Sequence, residues 1–278
     1  MGIAFDETGN VYVAEYANHH IDTYSPDGAL LAQWGSDGPD IWSVTGPGYL
    51  AIDSHDRLFL AEWTTHNVFQ SGVQEFTTGG DFVSMIGTYA STSPYPPATF
   101  TSPAGIAVGS DGRLYVTDTG SARTQVFASD RTYLAQWPSH GNSIALDDMG
   151  HAFEVEEGGY VRKYDLLGTE LAHWGGVGSG PGQFNMPQGV AVDAVGNVYV
   201  ADTYNHRIQM FTNDGTFLKQ WGTYGSAPGQ FYRPMGVALA QDGSVYVADT
   251  WNGRIQVFGS AVTPALRTTW GRIKSRFR

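Results

Sequence analysis

Three side chains of this sequence carry the chemistry of an acid–base site: the phenol of Tyr16, the imidazole of His140 and the carboxylate of Glu156, which is flanked by Glu154 and Glu157. Gathered in one concavity, with Glu156 or His140 as general base or acid and Tyr16 as hydrogen-bond donor, they would suit hydrolysis or elimination. A single divalent metal ion in the same space would fit that chemistry. A second set, Tyr16, Trp63, Thr119, Glu156, Thr203, Thr250, Gln188 and Met235, offers stacking and hydrogen-bonding groups for a bound small molecule, glycan or peptide. None of these residues is near the others in sequence. Whatever brings them together has to be the fold.

The fold announces itself by repetition. Pro187 to Phe211 reads PQGVAVDAVGNVYVADTYNHRIQMF, and Pro234 to Phe258 reads PMGVALAQDGSVYVADTWNGRIQVF. Weaker copies open at Gly2, Tyr49, Gly105 and Ser143, giving six in all, at spacings of 47, 56, 38, 46 and 47 residues. That period is the one expected of propeller blades. Each copy holds runs rich in Val, Ile, Tyr and Phe, such as Val190 to Asp193, Val198 to Asp202, Ile208 to Phe211 and Phe217 to Gly222. Between them stand turn-formers such as Gly196-Asn197 and Asp214-Gly215, which supply the positive φ of tight hairpins. Each unit is therefore predicted to be an antiparallel four-stranded meander. A lone meander has two apolar faces, and radial packing of six buries both. The predicted fold class is all-β, a six-bladed β-propeller over residues 1–260, with a basic closing strand or short helix over residues 261–278.

The two strong copies, with Pro187 to Val192 and Ala201 to Ile208 in one and Pro234 to Leu239 and Ala248 to Ile255 in the other, resemble the NHL-repeat family. Its repeat opens on Pro-x-Gly-Val-Ala-Val and carries a later Ala-Asp-Thr-x-Asn-x-Arg-Ile segment. The resemblance implies six blades and leaves function open, because the family hosts binding scaffolds, lyases and hydrolases. In its amidating lyases, histidines just before the first strand of a blade ligate zinc. Here that series reads Gly48, Ala104, Asn142, Gln188 and Met235, with only His140 nearby, so a three-histidine zinc site is not expected.

Aligning the copies places an acid at the end of the second strand, Glu15, Glu62, Asp118, Asp202 or Asp249, and His20, Asn67, Arg123, Arg207 or Arg254 five positions later. The Asp-to-Arg pairs are expected to bridge the turn structurally. Blade four departs, with Val155 read at the acid position. The next position along is expected to look inward, and it becomes Tyr16, Trp63, Thr119, Glu156, Thr203 and Thr250. The remaining histidines, His206 among them, are expected to be solvated. Two inserts, residues 88–101 and 36–47, interrupt the repeat. The first offers Tyr89, Tyr95 and Phe100 for stacking; the second brings Asp37, Asp40 and Trp42.

Composition excludes several classes. The 278 residues carry a net charge of −12, yet Arg267, Arg272, Lys274, Arg276 and Arg278 crowd the last dozen residues, where no acid occurs. Without that tail, 10 basic residues face 27 acidic ones. Such a charge repels phosphate backbones, so no nucleic-acid partner is expected. No apolar run approaches the 18 or so residues of a membrane span. Lack of cysteine removes disulfides and thiolate chemistry together. No Gly-x-Ser-x-Gly elbow, Walker loop or His-Glu-x-x-His segment occurs. The first copy lacks the Phe-x-x-Pro lead-in found at Phe184 and Phe231, so a preceding segment is expected, with an extracellular or periplasmic location if that segment was a signal. The leading expectation is a monomeric binding module; the alternatives are a channel-centred hydrolase or lyase and an assembly scaffold.

Overall fold

The structure, a computed structural model, describes residues 2–38, 40, 42–62, 72–90 and 92–259 and the backbone strand Leu266–Trp270. The chain is all-β, built of six four-stranded antiparallel sheets, the blades of a β-propeller. Blade one comprises β1 (Ile3–Phe5), β2 (Val11–Glu15), β3 (His20–Tyr24) and β4 (Leu30–Trp34), and blade two β5 (Pro47–Ile52), β6 (Arg57–Glu62), β7 (Val73–Thr77) and β8 (Phe82–Ile86). A short parallel pair, β9 (Thr88–Tyr89) and β10 (Thr99–Phe100), precedes blade three, formed by β11 (Pro103–Val108), β12 (Leu114–Asp118), β13 (Arg123–Phe127) and β14 (Tyr133–Pro138). Blade four holds β15 (Gly141–Leu146), β16 (His151–Glu156), β17 (Tyr160–Asp165) and β18 (Glu170–Gly175). Blade five holds β19 (Gly189–Val192), β20 (Val198–Asp202), β21 (Arg207–Phe211) and β22 (Phe217–Trp221). Blade six holds β23 (Gly236–Leu239), β24 (Val245–Asp249), β25 (Arg254–Phe258) and β26 (Leu266–Trp270), so the fourth strand of that blade comes from the C-terminal segment. Residues 271–278, where a short helix is expected from sequence, lie outside the described residues.

The chain divides into two compact units, residues 1–142 and 143–278. Within the first, Tyr12, Ile21, Leu58 and Phe76 join blades one and two, while Phe59, Ile86, Phe100 and Phe127 join two and three. Within the second, Phe153, Phe184, Val200 and Phe211 join blades four and five, and Tyr199, Ile208, Phe231 and Phe258 join five and six. Each fully buried Phe contributes about 1.5–3 kcal/mol relative to exposure.

Turn chemistry fixes each hairpin. Asp193 Oδ1 accepts from the Val195 and Asn197 amides, and its Oδ2 accepts from the Tyr199 hydroxyl at 3.2 Å. Asp6 makes the same contacts with Thr8, Asn10 and Tyr12. This Asx turn leaves φ +89° at Gly196 and +84° at Gly9, which glycine reaches without a Cβ clash.

A second device joins the blades. At Gly222, φ is +96° and an added Cβ would run into the Phe231 ring that starts the next blade; Gly175 stands in the same relation to Phe184, and Gly87 to Phe100.

Candidate functional site

The Ala-Asp-Thr-x-Asn-x-Arg-Ile-Gln segment of blade five builds one network. Asp202 ends β20 and pairs with Arg207, which opens β21. Arg207 Nε donates to Asp202 Oδ2 at 2.7 Å, while its two other nitrogens donate to the carbonyls of Ser179, Gly180 and Gln183. Gln209 donates to the Gln183 carbonyl at 2.7 Å and accepts from the Gly182 amide. The segment therefore clamps the connection that enters its own blade.

Blade six repeats this geometry, with Arg254 on Asp249 at 2.6 Å and on the carbonyls of Ser226, Ala227 and Gln230. Blade three keeps the clamp with a looser pair, Arg123 Nε lying 3.7 Å from Asp118 while its other nitrogens reach the carbonyls of Tyr95, Pro96 and Thr99. The Asp–Arg pairs are structural, as their spacing suggested. The insert 88–101 is thereby tied down at its far end, and Phe100 is a buried core residue, not a ring presented for stacking.

Blades one and two carry the acid without the arginine. Glu62 is fully buried and accepts from the Thr45 amide at 2.9 Å, but Gly72 stands where arginine stands elsewhere. Burial, reinforced by Asp37, pushes the Glu62 carboxyl up to about 8. Glu15, across from His20, is likewise pushed to about 8 by burial and by Asp22.

In blade four the register corrects the sequence alignment. Glu156, not Val155, ends β16 and faces Tyr160, so it occupies the acid position itself, and the position after it belongs to Glu157. The arginine has moved two residues along the same face of β17: Arg162 Nε donates to Glu156 Oε1 at 2.6 Å. Only Ser139 and His140 separate β14 from β15, so no long connection enters this blade and Tyr160 takes the clamp position.

Of the other residues singled out from sequence, Tyr16 is 40% exposed on the turn after β2, and His140 is exposed just before β15. Trp63 lies outside the described residues. Thr119 Oγ1 donates to the Ser102 carbonyl at 3.1 Å and Thr250 Oγ1 to that of Ala248 at 3.2 Å. Thr203 is buried, its hydroxyl donated to the Pro234 carbonyl at 2.8 Å. Gln188 and Met235, both half-buried, precede β19 and β23, where the Met235 carbonyl packs onto Gly189. In the second unit the Thr203 hydroxyl is therefore engaged by the carbonyl of Pro234, and the backbone at Met235 lies against Gly189, which follows Gln188. Among the described residues no group of three or more His, Asp or Glu side chains is disposed to hold a metal ion.

A different constellation stands on blades five and six. Tyr204 and Trp251 lie on single 3-10 turns, Thr203–Asn205 and Thr250–Asn252, and remain 40% and 37% exposed. Arg233, from the connection between these blades, places its guanidinium carbon 4.4 Å from the Tyr204 ring centre and 4.5 Å from that of Trp251. Both distances lie well inside cation–π range. Tyr232 packs 5.4 Å from Trp251, and the His206 ring lies 5.0 Å from that of Tyr224 at a tilt of 56°, with Tyr224 65% exposed. The Arg233 amide donates to His206 Nδ1 at 3.1 Å. Burial first, then the positive charge of Arg233, pulls the imidazole below its ordinary value of 6.5, against the opposite pull of Asp249 and Asp202. His206 is therefore a neutral, packed acceptor and not a solvated surface residue.

The sequence comparison between blades held a signal for this surface. The connection entering blade five has Val177, Asn185 and Met186 where the one entering blade six has Tyr224, Tyr232 and Arg233. The backbone is the same, down to φ +47° at Met186 and +51° at Arg233. The fold does not require the aromatic and cationic side chains, and large exposed rings in one patch mark interaction surfaces.

The NHL repeat family model matches residues 100–127, 184–211 and 231–258. NHL repeat-containing protein 3 of Mus musculus is 32% identical over 213 residues, 74% of this chain and 49% of that protein. The chain belongs among the NHL-repeat proteins. It spans about half the length of the curated relatives it matches. Virginiamycin B lyase from Staphylococcus aureus shares the fold with a TM-score of 0.64 at 15% identity, covering 99% of this chain and 84% of the lyase. An auxiliary nutrient binding protein from Bacteroides thetaiotaomicron does so with a TM-score of 0.70 at 14% identity, covering 92% and 68%.

Proposed function

We propose that this NHL propeller is a binding module that receives a ring-bearing small molecule, or the ring of a glycan, on the Tyr204–Arg233–Trp251 surface. One observation carries the reading: two connections with the same backbone differ at Tyr224, Tyr232 and Arg233, the side chains that complete this patch around Tyr204 and Trp251. Exposed tyrosine and tryptophan faces held in place by packing lose little freedom when a ring stacks on them. The shared fold of a lyase and a nutrient-binding protein leaves the site, rather than the architecture, to decide between catalysis and capture. Glu156 is engaged by Arg162, and this engagement favours a structural part for that carboxylate.

Ligand-observed NMR against a panel of mono- and disaccharides and aromatic fragments tests the proposal. Binders are expected whose signals vanish with Trp251→Ala and Tyr204→Ala while the melting temperature is unchanged. Binders indifferent to both substitutions, or only linear peptides binding, would overturn it.

A further inference from the structure

The same patch has a charge that the stacking faces do not explain. Among the described residues, no carboxylate or carbonyl accepts a hydrogen bond from the Arg233 guanidinium. Asp202 and Asp249, the two acids that act on the neighbouring His206, are each taken by their own arginine at 2.7 and 2.6 Å. The chain as a whole is strongly acidic, with 27 carboxylates against 15 basic side chains. A locally unpaired cation in that setting, fixed over two ring faces, is the arrangement of a receptor. A guanidinium whose faces rest on aromatic rings keeps its N–H edge for a partner, and that planar fork matches a carboxylate with two parallel hydrogen bonds.

Resting on the reading of this surface as the ligand site, we infer that Arg233 selects a ring that carries a carboxylate. The ring stacks on the exposed side of Tyr204 or Trp251, whose facing sides Arg233 covers, and its carboxylate meets the guanidinium edge. A cationic ring is disfavoured because Arg233 already occupies the positive place. Inorganic phosphate has no flat face to lay on the aromatic side chains, so it gains only the charge contact. Two sources share the required chemistry, a flat aromatic acid and a uronic-acid sugar.

The test is an NMR titration of the full chain, following the Trp251 indole N–H, with benzoate, glucuronate, their neutral counterparts benzyl alcohol and glucose, and inorganic phosphate, at constant ionic strength. At least one ring carboxylate is expected to bind about tenfold more tightly than its neutral counterpart, with benzoate or glucuronate leading according to the source. Arg233→Leu is expected to abolish that preference and Arg233→Lys to keep part of it, both with the folded wild-type amide spectrum away from the patch. Equal binding of charged and neutral rings by the wild type, with loss in Trp251→Ala, overturns the carboxylate assignment and leaves the stacking site intact. Phosphate binding as tightly as either carboxylate also overturns it. If no ring, charged or neutral, moves the Trp251 signal, the ligand site itself falls.

Discussion

Arg207 and Asp202 form a pair in which both side chains are almost wholly buried and the remaining guanidinium donors end on backbone carbonyls of the preceding connection. The pair holds one blade to the strand-to-strand passage that leads into it. Its partner in blade six behaves alike, although burial there lifts the Asp249 carboxyl above its ordinary value in spite of Arg254.

Arg207→Ala strands a buried carboxylate and three carbonyls at once. Urea unfolding should show a loss of about 3–5 kcal/mol. Arg207→Lys should recover part of it, lacking the fork that spans several acceptors. Arg233→Ala, which loses its cation–π contacts but strands no acceptor, should lose only about 1–2 kcal/mol. Equal losses at 207 and 233 would contradict the clamp.

Glu62 sets a pH dependence whose sign is fixed by burial. The unfolded chain gives up this proton near 4.5, whereas the folded chain keeps it to about 8. The folded state holds the extra proton across that window, so the residue's contribution declines by about 1.4 kcal/mol for each unit of rising pH. Glu62→Gln keeps the acceptor for the Thr45 amide and has no proton to lose. Its stability at pH 8 relative to pH 5 should exceed that of wild type; an unchanged ratio would show Glu62 ionised in the fold.

His206 should titrate below 6.5 in two-dimensional NMR, and Arg233→Ala should move it upward, because the cation is the second cause of its depression. Burial, the first cause, persists, so the shift should be incomplete. The stability this neutral imidazole provides is present above pH 6.5 and lost as pH falls through its lowered value. No upward movement in the variant would place Arg233 away from the ring.

Two glycines separate backbone cost from steric cost. Gly182 has φ +78° with nothing near an added Cβ, and Gly222 has φ +96° with the Phe231 ring in the way. Calorimetry should find Gly182→Ala weakened by about 1 kcal/mol and Gly222→Ala by at least about 2 kcal/mol. Equal penalties would mean that the Phe231 contact is soft.

The repeats made blades, hairpins and core legible, because Val190, Tyr199 and Phe211 recur at positions that only a stacked meander buries. The Asp–Arg pairs were legible as pairs. Their grip on the preceding connection was not, since the carbonyls of Ser179 and Gln183 have no side-chain signature. Blade four misled the alignment because its hairpin is one residue shorter, pairing Glu156 with Tyr160 where blade five pairs Asp202 with Arg207. The Arg233 patch draws residues from two turns and a connection, separations across which one sequence shows no pattern. Tyr204 and Trp251 stand at the variable position of the repeat, which reads as background until coordinates bring it beside Arg233.

Phe100 follows Gly87 by thirteen positions, while Phe184 and Phe231 follow Gly175 and Gly222 by nine. The additional residues are accommodated between a glycine–phenylalanine pin at each end and an arginine that grips three carbonyls near the exit. Length in that stretch is thus uncoupled from the sheets on either side. Foreign segments grafted after Ala90 and before Tyr95, past the β9 pairing and short of the Arg123 contacts, should be displayed without disturbing the propeller, making this natural elongation a ready port for engineered recognition.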